Sequence, residues 1–351
     1  MLRRVARRRL ALAVPLVVLL ALACALSVVV SLGFGSERIP VEQVWQVVRA
    51  HVGGGPGGPE AWDTIVWQLR LPRALLAVIV GTGLALAGAG MQTLVRNPLA
   101  DPYLLGISSG AAVGATLVIT LGLLPAAGIY ALSLGALLGA LAAAVVVYLV
   151  ALAQGGLTPL RLVLLGVVLS SAFSAIASFL VFLSDDSRAA NSVMFWMLGS
   201  LAGATWASIV PPAVVVALAA VLLLALHAWL DALAAGPETA AALGVPVRSL
   251  RLGLFVLLGV LVGVLVAVSG GIGFVGLIVP HAARLLVGAT HRVMLPVAAL
   301  AGGLFLVWVD VIARVAATPQ EMPLGVVTGL VGAPVFLALM GRRGYSFGGE
   351  R

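Results

Sequence analysis

Residues 102–160 run for 59 positions without one charged side chain. A membrane crossing needs about 20 apolar residues, so this stretch is too long for one helix and suits a hairpin of two, broken at GLLPAAG (122–128). Composition extends the constraint to the whole chain. Of 351 residues, 62% are hydrophobic and 9% charged, and mean hydropathy is +1.20. A soluble domain cannot keep that much apolar surface from water, so the chain reads as an all-α polytopic membrane protein.

Charges then mark where the chain leaves the lipid. Arginine costs roughly 2.5–3.5 kcal/mol at the centre of a membrane helix, so Arg70 and Arg73 sit at one face and Arg96 near the other. The 22 uncharged residues between Arg73 and Arg96 make one crossing. The opening MLRRVARRRL carries five arginines before an uncharged run over 10–36, read as a retained first span and not a cleaved signal peptide. Residues 37–69 hold four acids and the run GGGPGGP, an external loop with a short amphipathic helix around 41–48.

Further spans follow over 71–95, the two arms of the 102–160 hairpin, 162–184, 207–230, 252–268, a segment ending near His281–Val287, 293–312 and 323–340. A moderately polar stretch at 187–206, with Trp196 and Trp206, reads as a short external helix. The resulting fold has ten transmembrane helices with cytoplasmic N and C termini, as one domain over 1–351. It puts 14 of the 20 arginines in the cytoplasm and six outside (Arg38, Arg49, Arg70, Arg73, Arg188 and Arg314), the expected asymmetry. A weak inverted repeat relates spans 2–5 to spans 7–10. Gly88 to Pro98 and Gly270 to Pro280 share one spacing, and LGVV recurs at 165–168 and 324–327.

The net charge of +8 therefore reflects helix ends and not a nucleic-acid surface. The single Cys24 excludes an intrachain disulfide and a cysteine metal site. No GxxxxGK[ST], HExxH, nucleophile elbow or CxxC occurs, so neither ATP binding through a P-loop nor an enzyme is indicated.

Four features stand above the lipid-compatible background. Gly-rich runs such as GTGLALAGAG and SGGIGFVG either pack helices tightly or, with Ser108, Ser109, Thr328 and Pro334, line a path between helices. DALAAGPETAAALGVPVRSLR (231–251) sets an Ala-rich turn between Gly236 and Gly244, a stiff cytoplasmic element suited to a partner's cleft. Arg70, Arg73 and Arg314 are either snorkelling anchors, with Asp310 an i,i+4 partner of Arg314, or a basic patch that attracts an acidic partner. His281, Arg284, His291 and Arg292 read as interfacial anchors, without nearby carboxylates for a metal, and His51 and His227 as isolated.

In its ordered blocks the chain resembles the permease subunits of ABC importers for ferric siderophores, haem and cobalamin. The blocks are RLPR, GAGMQTLVRNPLADPYLLGISSGA, FWMLGSLAG, ALGVPV, SGGIGFVGLIVPHAARLLVG with HRVMLP, and DVIARVAATPQEMPLGVVTGLVGAPVF. The resemblance implies a pair of permease subunits, here a homodimer, around a central path in the bacterial inner membrane. It also implies two cytoplasmic ATPase subunits, which hold the ATP and magnesium, and an extracytoplasmic binding protein; no cofactor binds this chain directly.

Residue by residue, Arg70 and Arg314 match arginines that meet the binding protein's carboxylates, with Arg73 beside them. Asn97 and Leu99 match the cytoplasmic gate, with the turn at Thr158 as a second gate segment, although Pro159 departs from the hydroxyl residues that occur there. Gly236, Pro237, Glu238, Leu243, Gly244, Val245 and Pro246 match the coupling element that enters the ATPase. Ferric siderophore is the expected cargo, with haem or cobalamin as alternatives. A proton-coupled secondary transporter is the rival from another class.

Overall fold

The computed structural model describes residues 2–35, 37–54, 59–184 and 186–341. Asp185, part of the glycine-rich loop (55–58) and the tail arginines Arg342, Arg343 and Arg351 lie outside the described residues. Among the described residues there are helices and turns but no strand.

The first helix, α1 (Leu2–Ser31), is followed by the amphipathic α2 (Val41–Gly53), longer than the sequence suggested and closed by a left-handed Gly54. A short α3 (Glu60–Asp63) passes through a π-helical stretch, Thr64–Arg70, into α4 (Leu71–Leu94). Together they form one continuous helix of 35 residues, Glu60–Leu94. After the NPLADP turn come α5 (Ile107–Leu121) and α6 (Ala131–Ala153), joined through Gly122 and a 3-10 turn at Pro125–Tyr130. The uncharged run thus breaks where GLLPAAG placed the break.

Next are α7 (Pro159–Phe182), with its proline at the first helical position, and α8 (Ser187–Met197), where Asp186 accepts from the Arg188 N–H. The short helix expected over 187–206 ends at Met197, and Gly199 just beyond it turns left-handed. Thr205 and Ser208 cap α9 (Trp206–Ala225) reciprocally. The expected 207–230 span bends at Leu226, and the chain continues as α10 (His227–Ala235) and α11 (Pro237–Ala242). Then α12 (Val247–Ser269) stops at SGGIG and α13 (Val275–Val287) restarts the path. Last come α14 (His291–Val315) and α15 (Leu324–Gly341).

Among the described residues, seven helices are long and apolar enough to cross a membrane, and Ile107–Leu121, Val275–Val287 and Leu324–Ala338 are shorter apolar helices. The chain is a multi-pass membrane protein. Its core is α4, whose span is 78% buried, surrounded by α9, α12, α13 and α14. Apolar faces of α1 and α7 are left outward.

Small residues explain why α4 is central. A Cβ on Gly81 would lie 2.2 Å from the Gly302 carbonyl oxygen, and one on Gly88 only 1.8 Å from that of Gly276. Glycine there lets α4 meet α14 and α13 backbone to backbone. Residues 198–200 stitch the ends of other helices: the Leu324 and Gly325 N–H groups donate to the carbonyls of Gly199 and Leu198, and the Ser200 N–H donates to that of Ser269.

Candidate functional site

Helices α4 and α14 run antiparallel, because Arg73 and Asp310 pair at one end while Thr93 and His291 meet at the other. Twenty residues of α4 separate these ends, about 30 Å at the helical rise. The candidate residues fall into two groups along this pair.

At the first end, Arg73 Nε donates to Asp310 Oδ1 at 2.8 Å, and its Nη1 donates to both carboxylate oxygens of Glu321 at 2.9 Å. Asp310 is 1% exposed and also faces Arg314 Nε, 3.0 Å from Oδ2, an ion pair without an aligned N–H. The i,i+4 pairing of Asp310 with Arg314 is present, and Glu321 is an acid that the sequence did not single out. Arg314 Nη1 donates to Phe34 O at 2.8 Å, and Arg70 donates to Leu32 O at 2.7 Å and Glu37 O at 2.6 Å. The three arginines are only 5–8% exposed. They hold the connection between α1 and α2 as well as each other's acids.

Aromatic rings sit near this end. His51 stacks on Trp67 with centroids 4.1 Å apart and lies 3.5 Å from Asp63, so it is not isolated as the sequence suggested. The Trp206 indole N–H donates to Trp67 O.

At the second end, α4 stops as Arg96 turns to φ 52°. Asn97 Oδ1 accepts from Leu99 N–H at 2.9 Å, which fixes the NPLADP turn, and Asp101 accepts from Tyr103 N–H at 2.8 Å. Burial pushes the pKa of the Asp101 carboxyl up to about 6. Tyr103 Oη accepts from the Ile272 N–H, tying this turn to the SGGIG break. Thr158 starts α7 without a side-chain capping bond and lines a cavity of about 590 Å³ with Tyr148, Gly156, Arg248 and Arg251.

The sequence-identified 231–251 element folds as a helix, a six-residue helix and a turn. Gly236 (φ 136°) and Gly244 (φ 79°) bound Pro237–Ala242, and only glycine adopts such angles without strain. Glu238 and Leu243 point to solvent, Leu243 at 69% exposure, while Ala240 and Val245 pack inward. Pro246 then leads into α12. Gly236 lies beside Arg96, whose Nη2 would be 3.8 Å from a Cβ there, so this element and the NPLADP turn are neighbours.

Sequence reasoning missed what joins them. His291 bonds to Thr93 and to Asp231, so it is a buried link with a carboxylate and not an interfacial anchor. Arg284 donates to Gln92 Oε1, and Gln92 Nε2 donates to Leu277 O at 3.1 Å. The contacts join positions about 60 to 200 apart, and only His291 and Arg284 had been noticed, for their charge. Among the described residues no cluster of three or more His, Cys, Asp or Glu could hold a metal.

The helical membrane bundle thus has a buried glycine-packed centre, a charged cluster at one end and an exposed stiff element at the other, an arrangement that suits a transport permease. The FecCD transport family matches residues 21–342, and the chain belongs to it. It is 44% identical over 284 residues to the cobalamin import system permease protein BtuC of Halobacterium salinarum, covering 81% of this chain and 75% of that protein. It is 42% identical over 282 residues to the hemin transport system permease protein HmuU of Yersinia pestis, covering 79% and 84%. A solved structure described as a metal-chelate type ABC transporter, in an inward-facing conformation, superposes with a TM-score of 0.82 at 35% identity, covering 93% of this chain and 99% of that one. The chain is thus an ABC importer permease, and the proton-coupled secondary carrier is set aside.

Proposed function

We propose that the chain is the membrane subunit of an ATP-driven importer of a bulky metal chelate, a ferric siderophore in the first reading. It crosses the inner membrane ten times as one permease domain, with both termini in the cytoplasm and its two halves related by inversion. It pairs with an identical copy around the path, receives cargo from an extracytoplasmic binding protein and is driven by two ATPase subunits, which hold ATP and magnesium. It carries no cofactor of its own.

The observation that supports this reading is the antiparallel α4–α14 pair, with the arginine cluster at one end and the gate turn, beside the exposed 236–246 element, at the other. Leu243 and Glu238, with Pro237, Gly244, Val245 and Pro246 setting the bend, enter the ATPase cleft. ATP closes the ATPase dimer and moves this element, and Asn97, Leu99 and Thr158 gate the cytoplasmic mouth. The binding protein lands on the end that holds Arg70, Arg73 and Arg314. Glu321 is 45% exposed on Arg73, so an incoming carboxylate competes with it there.

A corrinoid is the second reading, favoured by the 44% identity to a cobalamin permease; haem is the third, favoured by the hemin permease. The test is uptake in proteoliposomes holding this chain with the ATPase and binding protein of its own system. Ferric siderophore, cobalamin and haem are offered separately, with ATP or with a proton gradient alone. ATP-dependent accumulation of the siderophore is expected. Uptake on the gradient without ATP would overturn the importer reading, and accumulation of only cobalamin or haem would overturn the cargo.

A further inference from the structure

We propose that Thr93, His291 and Asp231 form a positioning relay that ties the coupling element to the gate turn. The proposal rests on the ATP-driven importer reading. Thr93 is in the last turn of α4 and His291 is the first residue of α14; each is 2% exposed. Asp231 belongs to α10, five residues before Gly236.

The bonds run in one line. His291 Nδ1 lies 2.6 Å from Asp231 Oδ1, and the same oxygen accepts from the His291 backbone N–H at 2.9 Å. His291 Nε2 lies 2.8 Å from Thr93 Oγ1, whose single proton is shared between Nε2 and the Ala89 carbonyl 2.9 Å away. A carboxylate accepts only, so Nδ1 carries a proton. Asp231 also closes the free N-terminus of α14, where negative charge is favoured.

The order hydroxyl, imidazole, carboxylate is that of an acyl-transfer triad. Here the hydroxyl is buried and bonded to a backbone carbonyl, so no substrate reaches it. The geometry fits transmission instead. One flat ring bonds on both sides, so a shift of α10 is followed by the end of α4 or breaks a bond. Asn97 follows Thr93 by four positions, and the NPLADP turn hangs directly from this helix end. Its neighbour Gln92 holds α13 from the same turn. Motion of the 236–246 element thus reaches the gate through two hydrogen bonds, beside the approach of Gly236 to Arg96, and not through the covalent chain, which runs from Asp231 away into α12.

Isosteric variants separate the two bonds. The amide nitrogen of His291→Asn stands where Nδ1 does and keeps Asp231 while losing Thr93; His291→Gln reaches the Nε2 position and does the reverse. Thr93→Val removes only the hydroxyl, and Thr93→Ser retains it. Each variant is assembled with the ATPase and binding protein in proteoliposomes, and cargo accumulated per ATP hydrolysed is measured beside the melting temperature.

We expect His291→Asn, His291→Gln and Thr93→Val to lower cargo per ATP by about fivefold or more, the size of one coupling free energy between sites, with hydrolysis near the wild-type rate. Thr93→Ser is expected to keep the wild-type ratio. Thr93→Val combined with His291→Asn is expected to be no worse than either alone, since both remove one bond. Lower melting temperatures with wild-type ratios throughout would make the cluster structural only and overturn the relay. Should His291→Asn fail to assemble, Thr93→Val against Thr93→Ser decides: equal ratios overturn the relay. Wild-type uptake that ignores ATP is a separate outcome, read before any variant, and it overturns the importer reading together with the relay.

Discussion

Arg73 and Asp310 lie 237 positions apart in the chain and 2.8 Å apart in space, and the carboxylate between Arg73 and Arg314 is 1% exposed. Removing Arg73 takes from Asp310 its only aligned side-chain donor among the described residues, leaving Arg314 as an ion partner without a hydrogen bond to the carboxylate. Arg73→Ala is expected to destabilise the detergent-solubilised protein by about 3 kcal/mol or more, and Arg73→Lys to recover only part of it, since lysine lacks the guanidinium fork that spans Asp310 and Glu321. Arg73→Ala with Asp310→Asn is expected to cost less than the two single changes summed, read from thermal melting of all three.

Gly81 and Gly88 are expected to tolerate no added methyl. Their Cβ positions fall within 2.2 Å of backbone carbonyl oxygens on α14 and α13, which cannot swing aside as a side chain does. Gly81→Ala and Gly88→Ala should each cost at least the roughly 1–3 kcal/mol of an overpacked core. Gly253→Ala, in α12 with open space around its Cβ position, is the control; it should match or slightly exceed wild-type melting.

Asp101 sets a pH dependence. Its carboxyl titrates near 6 when folded against 3.8 ordinarily, because burial disfavours the charge. The protonated form therefore stabilises the fold, fully below about 3.8, and that stability is lost as pH rises to about 6, a difference of roughly 3 kcal/mol. Asp101→Asn keeps an acceptor for the Tyr103 N–H and removes the titration. Its melting temperature should exceed wild type at pH 7.5, and the gap should shrink as pH falls from 6 to 4.

Arg70 and Arg314 hold backbone carbonyls of Ser31, Leu32, Phe34 and Glu37. Arg70→Ala and Arg314→Ala should loosen that connection first. Hydrogen exchange in peptides covering 31–39 is expected to rise in each variant, while peptides in α12 keep wild-type protection. A charge reversal at either site therefore disturbs the fold as well as any docked partner, which makes Glu321→Gln the cleaner probe of docking: binding-protein affinity should change with little loss of stability.

Leu243 is an exposed apolar tip on a stiff, glycine-bounded element. Leu243→Asp should leave melting within about 0.5 kcal/mol of wild type, as surface changes do, yet abolish co-purification of the ATPase subunits.

Much of this was readable in the sequence because hydrocarbon penalises charge so steeply. Arg70, Arg73 and Arg96 bracketed α4, GLLPAAG marked the α5–α6 break, and Gly236 with Gly244 bounded the short helix between them. What stayed hidden was long-range pairing. Nothing local in Glu321 distinguishes an acid that grips Arg73 from a solvated one, and nothing in Thr93 or Asp231 announces His291 as a shared partner. Periodicity also carried the 207–230 apolar run straight through the bend at Leu226, since apolar residues continue on both sides of it.

The continuous helix from Glu60 to Leu94 has one further consequence. Its 35 residues reach roughly 50 Å, while the oily layer of a bilayer is about 30 Å thick. The extra length lies in the turns over 60–70, and these pack against α2, with Val66 buried and Trp67 stacked on His51. A lean of α4 is therefore handed on to α2 and the loop before it through these packed side chains, with no break in the helix to absorb it.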